Sequence, residues 1–166
     1  WLSNKINPAQ EHFLSEMFKQ KIYSQIDSIK KKTKNNKWLL FLPPNEHHEI
    51  GLLFSKFILL HYGHDVIYLG SNVPYSSLSQ ISKSLSIKNI LLFSVSNFSK
   101  KNILQTTSLL NKEFSKCNIF LVSNIESDNL FLKQNKIKLI NNIDNFIENA
   151  EEIFRRSEKF ELFAGP

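Results

Sequence analysis

The chain has 166 residues, of which 42% are hydrophobic and 22% charged, so it is long enough for one sizeable soluble domain with a smaller appendage. No apolar run reaches the roughly 18 residues of a membrane span, the start WLSNKINPAQ lacks the pattern of a signal peptide, and the lone Cys117 cannot form an internal disulfide, which together predict a cytoplasmic protein. The net charge is +6, but the lysine-rich stretch IKKKTKNNK (29–37) is interpreted as a solvated linker rather than a nucleic-acid-binding surface.

The first predicted element is an amphipathic helix. Asn7 is a suitable N-cap, Pro8 fits the first helical position, and Glu11 places a negative charge in the first turn, where the helix dipole favours it. Five apolar residues then follow at near-helical spacing: Leu14, Phe18, Ile22, Ile26 and Ile29. A single helix cannot bury such a face alone, so we expect it to pack on the following domain, on further helices or on another chain.

After residue 34 the pattern changes to apolar runs that alternate with amphipathic helices. Continuous apolar runs indicate strands that are covered on both faces, which is typical of a parallel sheet. The predicted strands are 37–43, 65–70, 88–95, 117–122 and 137–140, and the predicted helices are 48–62, 75–85, 99–115, 126–134 and 143–159. We therefore predict an α/β fold in which a partial helical-bundle cap with its linker (residues 1–34) precedes a five-stranded parallel, flavodoxin-like (Rossmann-like) domain (residues 35–166).

Ligands of such sheets bind beyond the carboxyl ends of the strands, which directs attention to the loops after residues 43, 70, 94 and 122. In the first of these loops, PPNEHHEIG (43–51), His48 would project into the crevice. Glu46 could hydrogen-bond one ring nitrogen of His48 and leave the other to bind a metal. The alternative is that His48 is an ordinary residue at a helix start, bonded to Glu46 or Glu49. Gly51, which has no side chain, would let a bulky group approach the helix start.

The element Glu46-x-His48-x-x-Gly51 resembles the Asp-x-His-x-x-Gly signature of cobalamin-binding domains, with Glu in place of Asp. The stretches HEIGLL (48–53) and YLGSNVP (68–74) are similar to those of MerR-type, cobalamin-binding, light-responsive repressors. This resemblance implies that His48 is the lower axial ligand of cobalt. It also implies that Ser94 and Ser96, after the third strand, contact the buried nucleotide tail of the cofactor.

The N-terminal segment carries a second resemblance. Trp1, nine residues and then Glu11-His12 reproduce the Trp-x9-Glu-His motif of the light-responsive regulators. The resemblance implies that Trp1, Glu11 and His12 cap the upper face of the corrin, over the adenosyl group. An indole offers a flat apolar surface and the polar pair can hydrogen-bond a ribose, so such a lid is chemically reasonable. Plain helix packing is the alternative for Trp1 and His12, and a favourable charge in the N-terminal turn is the alternative for Glu11.

The sequence departs from the pattern of this family at two places, which involve three residues. Ser123 and Asn124 follow the fourth strand where the family has Gly-Gly, and their side chains would intrude on the path of the nucleotide tail. Leu2 stands where the light-responsive relatives have a histidine that becomes an upper ligand after photolysis, and leucine cannot bind cobalt. The fold could therefore persist while cobalamin is bound weakly or not at all.

Zinc and catalytic sites are not expected. His47 and His48 are a helix length away from His61 and His64, and zinc requires about four ligands in tetrahedral geometry. The chain has no Gly-x-Ser-x-Gly elbow and no glycine-rich phosphate loop. We therefore predict no catalytic residues and a protein that is not an enzyme.

The sequence thus predicts the effector-sensing domain of a MerR-type transcriptional regulator, which binds adenosylcobalamin or methylcobalamin between the cap and the sheet. The ligand would bias self-association, and DNA would be contacted only by a helix-turn-helix domain upstream of residue 1. Two alternatives stay open. One is a regulator domain that keeps the fold but has lost cobalamin and uses another small effector or protein–protein contacts instead. The other is a corrinoid protein that carries methyl groups for a methyltransferase.

Overall fold

Five strands form one parallel sheet in the computed structural model, which describes residues 7–30, 36–95, 100–123 and 137–163. The strands are β1 (Lys37–Phe41), β2 (Asp65–Gly70), β3 (Asn89–Ser94), β4 (Asn118–Ser123) and β5 (Ile137–Ile140). Their spatial order is β2-β1-β3-β4-β5, and every neighbouring pair is parallel, so the predicted flavodoxin-like sheet is confirmed. Because β2 and β3 lie on opposite sides of β1, the switch point of this topology falls at the carboxyl ends of β1 and β3.

The helices in the described part of the chain are α1 (Pro8–Ser28), α2 (Glu49–His61), α3 (Tyr75–Ser84), α4 (Lys100–Glu113) and α5 (Ile143–Phe163). They match the predicted positions, and α5 ends a few residues later than expected. The helix predicted at 126–134 lies outside the described residues, as do the predicted site residues Trp1, Ser96 and Asn124.

The two faces of the sheet bury separate apolar clusters, because successive side chains of a strand point to opposite faces. Leu39 of β1 packs with residues of α3 and α4, whereas Leu40 packs with residues of α2 and α5. Both leucines are fully buried, and each such side chain contributes about 2 kcal/mol to folding. The core therefore holds β1 and β3 rigidly, and the loops at their carboxyl ends start from fixed positions.

Helix α1 begins as predicted, with a capping box at Asn7. The Asn7 side chain accepts a hydrogen bond from the backbone N of Gln10 at 2.9 Å, and the Gln10 side chain accepts one from the backbone N of Asn7 at 3.0 Å. The helix packs on α2. None of its residues is fully buried, and Phe18, predicted to lie on the buried face, is 57% exposed. Helix α2 thus covers only a strip of the apolar face of α1, and the rest of that face is left for the further helices or the second chain that were also expected from the sequence.

None of the helices in the described part of the chain combines the length and the hydropathy of a membrane span.

Candidate functional site

A buried carboxylate organises the loop between β1 and α2. Glu46 is fully buried, and its Oε1 accepts hydrogen bonds from the backbone N of His47 at 2.9 Å and of His48 at 3.1 Å. Its Oε2 accepts a hydrogen bond from the backbone N of Val95, directly after β3, at 2.9 Å. A buried carboxylate is tolerated only where it is hydrogen-bonded in this way. Glu46 therefore fastens the loop between β1 and α2 to the carboxyl end of β3, across the switch point. The carboxyl-terminal edge of the sheet is called the rim below, and the loops that leave it are the rim loops.

The same carboxylate orients the His48 ring. Nδ1 of His48 lies 2.7 Å from Oε1 of Glu46, while the His48 side chain is 67% exposed. A carboxylate can only accept, so the neutral ring donates through Nδ1 and carries its lone pair on Nε2. His48 occupies the cap position of α2, but its side chain makes no capping hydrogen bond there. The ring is thus held at the rim with the outward nitrogen able to bind a metal, as in carboxylate–histidine–metal arrangements.

A second loop, between β2 and α3, supports this one. The backbone N of Asn72 donates to the carbonyl of Glu46 at 3.2 Å, and Oδ1 of Asn72 accepts from the backbone N of Asn45 at 3.0 Å. Asn45 and Asn72 both have positive φ, at 67° and 54°, a conformation that asparagine adopts more readily than most residues. The two asparagines therefore join the two rim loops side by side.

Glycine is required at position 51 because the Phe93 ring occupies the space where a side chain would lie. A Cβ at this position would lie 2.7 Å from Cε1 of Phe93, which is closer than real side chains approach. Phe93 is buried and precedes Ser94 at the end of β3. The bulky group expected to approach the start of α2 is therefore the Phe93 ring.

Two serines face each other at the carboxyl ends of β3 and β4. Ser94 is paired with Ser123 in the sheet, and the Ser123 hydroxyl donates to the carbonyl oxygen of Ser94 at 3.0 Å. Ser94 is only 4% exposed, and its hydroxyl has no hydrogen-bond partner among the described residues. A buried polar atom without a partner costs about 1 to 3 kcal/mol, which a bound ligand with a polar atom could recover.

Helix α1 is fastened close to the rim. Nζ of Lys19 lies 3.8 Å from Oε2 of Glu49, the residue after His48, and Oε1 of Glu49 accepts a hydrogen bond from the Tyr68 hydroxyl at 2.9 Å. Nζ of Lys56 on α2 lies 5.5 Å from the ring centre of Tyr23 and 5.2 Å from that of Tyr68. These contacts place the middle of α1 beside the first turn of α2.

Of the predicted cap residues, Glu11 and His12 lie in the first turn and a half of α1. Glu11 is half-buried and accepts a hydrogen bond from the Ser15 hydroxyl at 2.9 Å, whereas His12 is exposed. The structure thus gives Glu11 a contact within its own helix, in addition to its favourable place near the helix N-terminus.

His64 lies away from this rim, at the opposite end of the sheet. It is almost fully buried, its Nε2 lies 3.0 Å from the carbonyl oxygen of Ala150 on α5, and its ring meets Trp38 edge to face at 5.7 Å. Burial lowers the pKa of His64, and the bond to Ala150 opposes this effect only in part. Among the residues that the structure describes, no group of three or more His, Cys, Asp or Glu side chains could hold a metal ion.

Sequence reasoning missed three contributors to the site: Asn72, Phe93 and the backbone N of Val95. Asn72 had a usable signal, because an asparagine that precedes Val-Pro after a strand is typical of a turn with positive φ. Phe93 and Val95 had none, since their contacts with Gly51 and Glu46 depend on how β1 and β3 align in space.

No protein-family model matches the chain. The HTH-type transcriptional repressor CarH of Myxococcus xanthus is 32% identical over 80 residues, which are 48% of this chain and 26% of CarH. The chain therefore spans about a quarter of the length of this curated relative.

Solved structures share the architecture over most of the chain. The monomethylamine corrinoid protein of Methanosarcina barkeri matches with a TM-score of 0.59 at 15% identity, over 83% of this chain and 64% of that one. The methanol:cobalamin methyltransferase complex MtaBC of the same organism matches with a TM-score of 0.63 at 14% identity, over 90% and 58%. A cobalamin-binding protein of Desulfitobacterium hafniense matches with a TM-score of 0.59 at 15% identity, over 86% and 68%.

The chain has the fold of cobalamin-binding domains. The resemblance that Glu46, His48 and Gly51 suggested in the sequence is confirmed at this level. Within the cobalamin-binding-type fold, the described rim residues lie where the topology predicts a ligand site. The link to transcriptional regulators comes from the likeness to CarH.

Proposed function

We propose that this chain is the effector-sensing domain of a MerR-type transcriptional regulator, and that it binds cobalamin between α1 and the sheet rim with His48 as the lower ligand of cobalt. The observation that carries the proposal is that the His48 ring, held through Nδ1 by the fully buried Glu46, makes no capping hydrogen bond at the start of α2 and is 67% exposed. The bond from Glu46 to Nδ1 leaves the lone pair of the neutral ring on Nε2, where it can bind a metal. The likeness to CarH supports the regulatory role, and the likeness to corrinoid proteins supports the cofactor.

The described residues fit a corrinoid. The cofactor would supply a cobalt ion that an imidazole nitrogen can bind and that carries a methyl or adenosyl group. His48 would provide the imidazole, Glu46 would keep the proton on Nδ1, and the unpartnered hydroxyl of Ser94 would hydrogen-bond the nucleotide tail. Gly51 would keep the start of α2 close to β3, because it leaves room for the Phe93 ring. By the family resemblance, Ser96, Ser123 and Asn124 would also border the nucleotide tail, and the side chains of Ser123 and Asn124 would narrow its path.

The cap would respond to the ligand. Trp1, Glu11 and His12 would cover the upper face of the corrin, and the contact between Lys19 and Glu49 already holds α1 beside His48. Phe13 and Phe18 of α1 are 66% and 57% exposed, so a shift of this helix would change the apolar surface offered to a second copy of the chain. Self-association would then govern how an upstream helix-turn-helix domain engages DNA.

The test is the visible absorption spectrum of the protein titrated with adenosylcobalamin and methylcobalamin. The wild-type protein should show the spectrum of cobalamin with a protein imidazole as lower ligand. His47→Ala is the matched control, since it removes the neighbouring exposed ring and should leave the spectrum unchanged. His48→Ala should lose the histidine-bound spectrum. An unchanged spectrum in the wild-type protein, or the same spectrum in His48→Ala, contradicts the proposal.

A corrinoid methyl carrier is the second candidate, and the fold likeness to the corrinoid protein and to the methyltransferase complex favours it. It would use the same His48 and Glu46. Light scattering distinguishes the two roles, because a regulator should change its oligomeric state when cobalamin binds, whereas a carrier should keep it. Transfer of the methyl group from protein-bound methylcobalamin to a thiol acceptor would favour the carrier.

A regulator that keeps the fold without cobalamin is the third candidate. Ser123 and Asn124 motivate it, because they replace the glycines expected in the tail site. The double variant Ser123→Gly/Asn124→Gly should then gain cobalamin binding that the wild-type protein lacks. Tight binding by the wild-type protein excludes this candidate.

A further inference from the structure

Asn72 lies in the loop between β2 and α3, but it makes two hydrogen bonds to the loop between β1 and α2, which contains His48. Its backbone N donates to the carbonyl of Glu46 at 3.2 Å, and its side-chain Oδ1 accepts from the backbone N of Asn45 at 3.0 Å. Both bonds fix main-chain atoms of the turn that leads into Glu46. We infer that Asn72 is a positioning residue for His48, an inference that rests on the proposed ligand role of that histidine.

The contacts form a continuous path from Asn72 to the ring. Asn72 fixes the main chain at Asn45 and Glu46, and the Glu46 carboxylate then reaches the backbone N of Val95 at 2.9 Å on one side. On the other side the same carboxylate lies 2.7 Å from Nδ1 of His48. The main chain of Glu46 is thus hydrogen-bonded to the loop after β2, and its side chain is hydrogen-bonded to the backbone directly after β3. Because both the main chain and the side chain of Glu46 are fixed, its carboxylate restricts the orientations that the His48 ring can adopt.

The identity of residue 72 agrees with this role. Its φ of 54° lies in the left-handed region, which favours Gly, Asn and Asp. Glycine would adopt this backbone with the least strain but has no side-chain acceptor. Asparagine keeps the conformation and also supplies Oδ1 to the Asn45 N–H, so the acceptor explains why a side chain is present.

The experiment reads the tautomer of His48 in the full chain without cobalamin, from the nitrogen-15 chemical shifts of its ring at a pH where the ring is neutral. The wild-type protein should carry the proton on Nδ1. Asn72→Gly keeps the backbone and removes the acceptor, so a large share of His48 should change to the Nε2–H form that exposed histidines prefer. Asn72→Asp retains an acceptor and should keep the wild-type tautomer.

Asn45→Gly is the matched control. It alters the other positive-φ asparagine but keeps the backbone N–H that Asn72 binds, so the tautomer should stay on Nδ1. If Asn72→Gly fails to fold, Asn72→Ser carries the same prediction, since its hydroxyl is one bond too short for this contact. A wild-type tautomer in the folded Asn72→Gly or Asn72→Ser variant overturns the inference, as does an Nε2–H ring in the wild-type protein.

Cobalamin binding is then measured separately on the same proteins. Asn72→Gly should bind cobalamin with a smaller histidine-bound fraction in its visible spectrum, and Asn72→Asp should restore that fraction. An Nδ1–H tautomer that depends on Asn72 in a protein without any cobalamin affinity would refute the ligand role of His48 and leave the positioning by Asn72 intact. Normal histidine-bound cobalamin in Asn72→Gly would refute the positioning alone.

Discussion

Nε2 of His64 lies 3.0 Å from the carbonyl oxygen of Ala150, so a buried imidazole joins the loop before β2 to α5, 86 positions further along the chain. This contact stabilises the fold and lies away from the candidate site. The ring can donate Nε2–H to this carbonyl in either protonation state, but burial disfavours the charged form and so lowers the pKa of His64. Its consequence is a dependence of folding stability on pH.

The free energy of unfolding should fall as the pH drops from 7 to 5. Burial lowers the pKa of His64 below its ordinary value of about 6.5, so below that pH the unfolded chain binds more protons than the folded one. The loss should reach at most about 1.4 kcal/mol per pH unit. Urea unfolding at several pH values measures it. His64→Gln should flatten the slope, and His61→Gln, at an exposed helix end, should leave it unchanged.

Removal of the buried Glu46 carboxylate should lower the free energy of unfolding. Glu46→Ala leaves the backbone N–H groups of His47, His48 and Val95 without their acceptor, so we expect a loss of about 3 kcal/mol in the free energy of unfolding. Glu46→Gln keeps the shape and one acceptor oxygen and should lose less. Denaturant unfolding provides the measurement. Equal stability of Glu46→Ala and the wild-type protein contradicts the anchoring role of this residue.

The fit between Gly51 and Phe93 predicts a coupled pair. Gly51→Ala should destabilise the fold by about 1 to 3 kcal/mol, because the new methyl group meets the Phe93 ring. In a Phe93→Leu background the close ring atom is absent. The same Gly51→Ala change should then be neutral or stabilising by up to about 1 kcal/mol, since alanine is the better helix former. Additive effects in a double-mutant cycle would show that the two residues do not interact.

Charge reversal at Lys19 should loosen α1. Lys19→Glu would place a carboxylate beside Glu49 and beside Glu16 of the same helix, and would replace two partly exposed ion pairs, each worth at most about 1 kcal/mol, by repulsions. Amide exchange in α1 should therefore accelerate several-fold, while exchange in β1 and β3 stays slow. Lys21→Glu makes the same charge change at an exposed position of the same helix, and α1 exchange should then stay near its wild-type rate.

The sheet could be predicted from the sequence because its strands are continuous apolar runs, such as that of β3, in which every residue is buried. The bond between Glu46 and His48 was also predictable, since the two residues are close neighbours in the chain. Both interpretations of His48 contained this bond, however, so it could not decide between a metal ligand and a helix-start residue.

The remaining parts of the site depend on contacts between distant segments. Three contacts depend on how the strands align, which a single sequence does not specify. They are the hydrogen bond between Asn72 and Asn45, the hydrogen bond between Val95 and Glu46, and the contact of Phe93 with Gly51. The exposure of Phe18 could not be predicted for a related reason. Periodicity identifies an apolar face, but it does not say how much of that face a neighbour covers.

The most direct test of the central claim is the electron paramagnetic resonance spectrum of cob(II)alamin bound to protein labelled with nitrogen-15 in its histidines. If Nε2 of His48 binds cobalt, the splitting from the lower nitrogen should change from the triplet of ordinary nitrogen to a doublet, and His48→Ala should abolish the doublet. A triplet from the cofactor's own base, or the spectrum of unbound cob(II)alamin, would contradict the account.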